Sequence, residues 1–274
     1  MKRLLKNFAF TSGLVLTLLI LLAAIAAPLL APHDPNVPIG NRLEKPTNEH
    51  VFGLDELGRD VLSRMIWGAR VSLRVGFSVV LLASLVGVTL GAISGYFGGA
   101  IDVLVMRLCD ILLAFPGILL AIALVAVLGP SLNNVILALA IIGWVGYARL
   151  VRGQVLKVRE MEYVTAAKAL GAKSPRVIIR HVLPNVINPV IVMATLGLAG
   201  AILAEAALSF LGLGVQPPTP SWGGMLSYGR RYLGEANHLA IFPGAAIMIA
   251  VMGLNFLGDG LIDALDPKYR KLIR

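Results

Sequence analysis

The sequence predicts an all-α membrane protein with six transmembrane helices and one helical loop on the cytoplasmic side. Hydrophobic residues make up 57% of the 274 residues and charged residues only 14%, which leaves too little polar surface to cover a soluble globule. Because unpaired backbone groups are costly in lipid, the long apolar runs should be helical. They cover residues 9–30, 71–95, 103–128, 133–150, 184–211 and 239–258.

The first apolar run begins like a secretory signal peptide, because Lys2, Arg3 and Lys6 precede it. However, residues 8–30 exceed the apolar core of roughly 7–15 residues that signal peptides have. They suit a spanning helix of about 20 residues, so we predict an uncleaved first span. This span and the segment after it form a first unit, residues 1–70, and the other five spans form a second, residues 71–274.

Two sizeable segments, residues 31–70 and residues 214–237, are predicted to lie on the outer side of the membrane. The first begins with turn formers and continues with apolar residues at helical spacing, with arginines between them. This pattern predicts an amphipathic helix lying at the outer interface. Its apolar positions are Leu57, Val61, Met65 and Ile66. Neither segment is long enough for a ligand-binding domain, so a soluble receptor would be a separate chain.

The distribution of basic residues predicts the orientation of the chain. Two thirds of its 24 Lys and Arg residues fall in segments that are cytoplasmic when both termini are inside, and short cytoplasmic loops are rich in these residues. Six basic residues between Arg42 and Arg74 oppose the trend. Since topology accounts for the net charge of +9, we expect the lipid bilayer and no nucleic acid as a partner.

The sequence lacks the motifs of ATP binding and of common membrane enzymes. No Gly-Lys dipeptide occurs, which excludes a P-loop. The histidines show no metal-binding spacing, and a single cysteine, Cys109, excludes an internal disulfide. Ser94 and His238 resemble a membrane protease dyad only faintly, and small residues such as those of Gly91–Gly95 usually serve close helix packing. We therefore predict no catalytic residue, bound cofactor or metal site.

Two acidic residues inside predicted spans, Asp110 and Glu205, are candidates for a translocation pathway or gate, because ionisable groups in a membrane are costly. The alternative for Asp110 is an ion pair with Arg107, three residues earlier on the same helix face. Glu205 lies near the outer end of the fifth span and has no evident local partner. Its alternative role is a buried contact with another helix.

Residues 152–183 show a charged helix-turn-helix pattern between two spans. Apolar residues at every third position predict a short helix that turns Glu160, Glu162 and Lys168 towards water. Gly171 follows where a helix end favours a left-handed residue, and Ser174 with Pro175 predicts the N-cap and first turn of a second helix. The apolar positions are Met161, Val164, Ala167 and Leu170.

Two simpler explanations of residues 152–183 compete with a docking helix. A loop resting on anionic lipid headgroups explains the basic charge but neither the glycine nor the Ser-Pro pair. A solvated connector explains neither feature. A rigid helix that docks on another protein explains both, and the small residues Ala166, Ala167 and Ala169 permit close approach.

The stretch YVTAAKALGAKSPRVIIRHVLPN resembles the "EAA" loop of ABC importer permeases. Thr165 stands where the family often has Glu, and Glu162 is the nearest acidic residue. The matching positions are Ala166, Ala167, Gly171, Ile179, Leu183 and Pro184. The resemblance implies a coupling helix that sits in a groove of an ATPase subunit. Its contact residues would be Glu160, Glu162, Tyr163, Thr165, Ala166, Ala167, Ala169, Leu170 and Gly171.

Three further stretches are similar to the C-type permease of dipeptide, oligopeptide and nickel importers. They are HVFGLDELGRDVLSRMIWGARVSL, ILAEAALSFLGLGVQPPTPSWGGML and NFLGDGLIDALDP, and they depart from the family at Leu54 and Ile262. This resemblance implies the type I ABC importer permease architecture in the cytoplasmic (inner) membrane. It also implies a second homologous permease, two ATPase subunits that bind ATP and Mg, and an external substrate-binding protein.

The resemblance further implies the import of dipeptides or oligopeptides. Nickel, metal chelates or glutathione-like molecules are alternative cargoes for the same architecture. A more remote alternative is an ATP-independent channel or secondary carrier, which would be expected to have more carboxylates inside its spans.

Overall fold

The computed structural model describes residues 7–265, and every regular element in this part of the chain is helical. Five helices are long and apolar enough to cross a membrane. They are α1 (Phe8–Ile25), α3 (Val61–Phe97), α6 (Leu132–Val158), α9 (Leu183–Phe210) and α11 (His238–Leu265). A bent pair, α4 (Gly99–Leu113) and α5 (Gly117–Leu128), is long and apolar enough for a sixth span when the two helices are taken together. The short helices are α2 (Ala27–Leu30), α7 (Glu162–Ala169), α8 (Ser174–Val177) and α10 (Trp222–Gly229).

Four of the predicted spans are thus confirmed as continuous helices, and the first is confirmed as α1, which ends at Ile25 before the separate α2. The third was wrong in shape. Instead of one helix over residues 103–128, α4 and α5 meet at 87°. Pro116 lies between them with an extended ψ of 122°. Proline lacks the amide that a continuing helix needs and disfavours the helical conformation of the residue before it. The apolar run therefore bends at this point.

The N-terminal half of α3 contradicts the predicted amphipathic helix at the outer interface. The helix begins at Val61, after the N-cap Asp60, and runs unbroken for 37 residues. At 1.5 Å per residue this is about 55 Å, well beyond a hydrocarbon core of about 30 Å. Leu57 precedes the helix in a turn, and Arg59 and Arg64 are each only 6% exposed. The arginines are buried because acidic residues before the helix pair with them, as described below.

Helices α3 and α6 pack closely along a row of glycines spaced four residues apart, Gly87, Gly91 and Gly95. A Cβ on Gly91 would run into the backbone of Ala148 in α6, and its neighbours in the row meet α6 in the same way. Small residues at this spacing let helix backbones approach, which supplies packing contacts where lipid gives no hydrophobic drive. The predicted packing role of Gly91–Gly95 is confirmed.

The bundle has two distinct ends. One end carries α7, and we call it the α7 end. At the other, the α10 end, residues 31–60 pack against residues 214–237, and we call these two segments together the cap. The indole N–H of Trp222 donates to the carbonyl oxygen of Met65 at 2.9 Å, and Nη1 of Arg64 donates to that of Pro35 at 2.7 Å. The cap is therefore fastened to the start of α3.

The two ends also separate the residues of the weakly supported protease dyad. His238 lies 3.4 Å from the carbonyl oxygen of Leu54 in the cap. Ser94 donates to Asp102 at the α7 end. The path along α3 between these ends is about 50 Å, so the two residues form no dyad.

The basic residues near the two termini were part of the predicted topology. They are Lys2, Arg3, Lys6, Lys268, Arg270, Lys271 and Arg274, and they lie outside the described residues.

Candidate coupling helix and intramembrane polar sites

The predicted short helix in residues 152–183 is α7, Glu162–Ala169. Glu162 lies in its first turn and Lys168 in its last, the charges that the helix dipole favours there. Gly171 has a left-handed φ of +84°. The amides of Gly171 and Ala172 donate to the carbonyls of Lys168 and Ala167, which is the Schellman arrangement for a helix end. The predicted glycine stop is confirmed.

The second helix begins one residue earlier than predicted, and Ser174 is not its N-cap. Lys173 is the N-cap residue, no side chain caps the amides, and Pro175 occupies the second helical position. Proline is tolerated there because the first four amides of a helix have no partner within the helix. α8 then continues through a π-helical turn, Ile178–Val182, into α9.

α7 is anchored to the ends of α3 and α6. Its Val164 is fully buried in an apolar cluster with Val155, Val158, Val177 and Val182. The ammonium of Lys168 lies 5.1 Å from the ring centroid of Tyr96 at the end of α3. Just before α7, Nη1 of Arg159 donates to the carbonyl of Gly95 at 2.9 Å. A displacement of α7 would therefore act directly on the α3 and α6 pair.

The outer surface of α7 differs from the predicted one. Of the predicted apolar face only Val164 is buried, while Leu170 is 89% exposed and Met161 is about half exposed. Both residues lie at the ends of the helix, where no other described element covers them. Their exposure leaves an uncovered apolar surface bordered by charged groups, which is typical of a docking site. The other exposed residues here are Glu160, Glu162, Tyr163, Thr165, Ala166, Lys168 and Ala169.

The ion pair between Asp110 and Arg107, the alternative role given above, does not form. Its carboxylate contacts Nη2 of Arg149 in α6 at 2.5 Å, and both side chains are about half exposed. Nearby, Arg152 donates two hydrogen bonds to Asp102 at the start of α4. The prediction failed because α4 lies against α6, which places the arginines of another helix closer than Arg107.

Glu205 is fully buried between α3 and α9. The hydroxyl of Ser209 donates to its Oε1 at 2.6 Å, and that of Ser72 in α3 donates to Oε2 at 3.2 Å. The prediction that Glu205 has no local partner was wrong, since Ser209 lies one helical turn later. A buried contact with another helix, the alternative role, is what the geometry shows. A role of Glu205 or Asp110 in a pathway or gate stays a prediction.

An apolar cavity that sequence reasoning missed lies between α3, α5, α6 and α9. It has a volume of about 320 Å³ and is lined mainly by Gly, Ala and aliphatic residues, with Tyr147 and Met193 at its wall. Its residues come from four distant parts of the chain. Each of these residues has the size and apolar character of ordinary residues at a helix-helix contact. No local sequence pattern therefore predicts the cavity.

The comparisons with known proteins agree with this architecture. Residues 87–271, more than half of the chain, match the family described as "Binding-protein-dependent transport system inner membrane component". The chain belongs to this family. Residues 1–46 of this permease also match the N-terminal transmembrane domain of oligopeptide transport permease C.

Three relatives resemble this permease over nearly all of its length. A dipeptide transport system permease protein of Alkalihalophilus pseudofirmus is 51% identical, covering 98% of this chain and 89% of the relative. A di/tripeptide transport system permease protein of Pseudomonas aeruginosa is 45% identical, covering 96% and 89%. A glutathione transport system permease protein of Pectobacterium atrosepticum is 44% identical, covering 97% and 88%. The predicted family, the fold and the function as an ABC importer permease are confirmed.

The structure predicts different outcomes for two substitutions of Glu205. Glu205→Gln should keep the thermal stability of the protein, because an amide can accept from Ser209 and donate to Ser72. Glu205→Ala should lower the free energy of unfolding by about 1–3 kcal/mol, since both hydroxyls lose a buried partner. Unfolding in detergent measures both. Equal destabilisation by the two variants would contradict the hydrogen-bonding role, and substrate uptake by the Gln variant tests the predicted gate.

Proposed function

We propose that this permease subunit carries dipeptides or oligopeptides across the cytoplasmic membrane. The observation that carries the proposal is the 51% identity, over 98% of this chain, with the dipeptide transport permease of A. pseudofirmus. The similar glutathione permease supports glutathione-like molecules as the second candidate cargo. In the proposed complex the chain pairs with a second homologous permease, two ATPase subunits and an external substrate-binding protein.

We place the α7 end in the cytoplasm and the cap outside, with both termini cytoplasmic. The excess of Lys and Arg in the segments of the α7 end supports this orientation. The orientation sets the cap against the external binding protein and α7 against the ATPases. ATP and Mg would be bound by the ATPase subunits, while this chain supplies the surface that receives their motion.

We assign the ATPase contact to the exposed residues around α7. Leu170, Met161 and Tyr163 supply apolar area, and Glu160 and Glu162 supply charge. Closure of the ATPase pair would displace α7, and its anchoring through Val164 and Lys168 would pass the displacement to α6 and α3. Since the glycine row holds these two helices together, they would move as one body between inward and outward access.

Reconstitution of the complete complex in liposomes tests the proposed function. We expect uptake of a labelled dipeptide only when ATP, the ATPase subunits and the external binding protein are all present. Competition by unlabelled dipeptide, longer peptide and glutathione ranks the candidate cargoes. Uptake by the permeases alone would contradict the proposal in favour of a channel or carrier. Uptake of glutathione without uptake of peptides would select the second candidate.

A further inference from the structure

A pocket of about 270 Å³ lies where the start of α3 and the residues before it face the segment around α10. We call it the cap pocket. Buried arginines, Arg59 and Arg64, contribute to its lining from one side. Tyr228, Arg231 and Tyr232 line it from the other. The pocket therefore combines guanidinium and phenol groups at the end of the bundle opposite α7.

The two buried arginines share one buried carboxylate. Oδ2 of Asp55 lies 2.7 Å from Nε of Arg59 and 3.3 Å from Nε of Arg64. Glu56 contacts Nη2 of Arg59 more loosely, at 3.4 Å. In the part of the chain that the structure describes, neither Nη1 of Arg59 nor Nη2 of Arg64 donates a hydrogen bond. Donors on buried, charged groups favour a further anionic acceptor.

The charges of the residues that line the cap pocket also favour an anionic ligand. Three arginines, Arg59, Arg64 and Arg231, line the cap pocket, whereas Glu56 is its one acidic residue. Two of these arginines are buried and held in place by the cap, so their positive charge is preorganised. A carboxylate entering the pocket would complete the neutralisation and could be held by more than one guanidinium.

The apolar part of the lining indicates a protein partner. Leu57 lies in a turn outside the long apolar helices, and its side chain is 54% exposed. It is therefore an apolar residue that lipid does not cover. Arg231 lies 5.5 Å from the ring centroid of Tyr228, and Met225 and Tyr232 also line this side of the pocket. Tyr, Met and Arg are enriched at the centres of protein interfaces, where buried anchors contribute most of the affinity. Lipid tails would not cover so charged a site.

We propose that the cap pocket receives an aspartate or glutamate side chain of the external substrate-binding protein. The carboxylate pairs with the arginines of the pocket, and apolar residues of the binding protein pack on Leu57 around it. This inference rests on the proposed function, because it names the chemistry by which the cap would recognise its soluble partner. The arginines give orientation and salt-dependent association, while the apolar rim gives contact area.

Charge reversal of Arg231 tests the inference, and the adjacent Arg230 provides a matched control. Arg230 is also exposed, but it lies over the ring of Phe210 at 4.6 Å and does not line the pocket. The probe is the purified binding protein that supports uptake by the reconstituted complex. We expect Arg231→Glu to raise its Kd for the complete complex in nanodiscs at least tenfold. Arg230→Glu should change this Kd less than twofold.

A second variant and a rescue keep the test independent of folding. Leu57→Asp should also raise the Kd at least tenfold, and size-exclusion chromatography verifies assembly of each variant. Each exposed Asp and Glu of the binding protein is then changed to Arg. We expect one of these changes to weaken binding to the wild-type complex and to restore binding to the Arg231→Glu complex.

The inference is overturned if Arg231→Glu and Arg230→Glu behave alike, or if no charge change in the binding protein rescues Arg231→Glu. It is also overturned if inorganic phosphate displaces the binding protein from this pocket, which would make it a small-anion site. These results concern the cap pocket alone. If the wild-type complex still shows ATP-dependent uptake, the proposed function is unaffected. Absence of wild-type uptake under all conditions removes the proposed function itself.

Discussion

Replacing Gly91 by leucine should abolish accumulation of the folded permease. The new side chain would start where the backbone of Ala148 in α6 already lies. Overpacking typically lowers the free energy of unfolding by about 1–3 kcal/mol where side chains can move aside. A helix backbone moves less easily than a side chain, so the loss here should be larger. We therefore expect at least a tenfold loss of monodisperse protein, measured by size-exclusion chromatography of a fluorescent fusion in detergent.

The matched control for Gly91 is Gly153, a helical glycine of α6. Among the residues that the structure describes, a Cβ at Gly153 meets no atom within 4 Å, and the residue is exposed. Gly153→Leu should accumulate within about twofold of the wild-type protein, since leucine is a good helix former. Normal accumulation of Gly91→Leu would show that α3 and α6 do not need this close approach.

Replacing Gly171 by valine should weaken binding of the proposed ATPase subunits. The left-handed φ of +84° costs a residue with a Cβ roughly 1–2 kcal/mol, and β-branched residues avoid it most strongly. Because no atom of residues 7–265 lies within 4 Å of the added Cβ, the local effect within this part of the chain is strain in the backbone. The end of α7 would shift with Leu170. We expect about tenfold less ATPase to co-purify, together with a parallel loss of uptake.

Asparagine at the same position separates backbone conformation from side-chain size. Asparagine adopts the left-handed region more readily than other residues with a Cβ, so Gly171→Asn should keep most of the ATPase and most of the uptake. Wild-type co-purification and uptake with Gly171→Val would remove α7 from the proposed coupling route. Equal loss with valine and asparagine would point to contact of the glycine itself with the partner surface.

The two predictions concern the two halves of one proposed route across the membrane. Gly171 shapes the surface that would receive the force in the proposed mechanism, and Gly91 holds together the helices that would carry it. The start of α3 is fastened to the cap through Trp222 and Arg64. A motion that begins at α7 would thus reach the proposed surface for the binding protein along one continuous helix of 37 residues.

The local features of the chain could be predicted because their causes are local. The length of an apolar run decides whether a helix can cross a bilayer, and five spans follow from this alone. Gly171 ends α7 because of its own φ preference and two neighbouring hydrogen bonds. The packing role of Gly91–Gly95 followed from residue size and spacing. None of these conclusions depends on which helices are neighbours.

The tertiary structure decided the partners of the charged groups. Asp110 pairs with Arg149, 39 residues away, because α4 lies against α6. Glu205 reaches Ser72 only because α3 and α9 pack together. The sequence pattern predicts Arg59 and Arg64 on the polar face of an interfacial helix, yet both are buried around Asp55. An ion pair depends on distances of a few ångströms between side chains, and sequence separation says little about them.

By itself, the sequence determined that this chain crosses the membrane, where five of its spanning helices lie and where α7 ends, since hydropathy and backbone preference act over a few residues. Only the tertiary structure decided the 87° bend between α4 and α5, the shared carboxylate of the cap and the partners of Glu205. These features arise where distant segments pack together, because burial and electrostatic attraction depend on every group that surrounds a side chain.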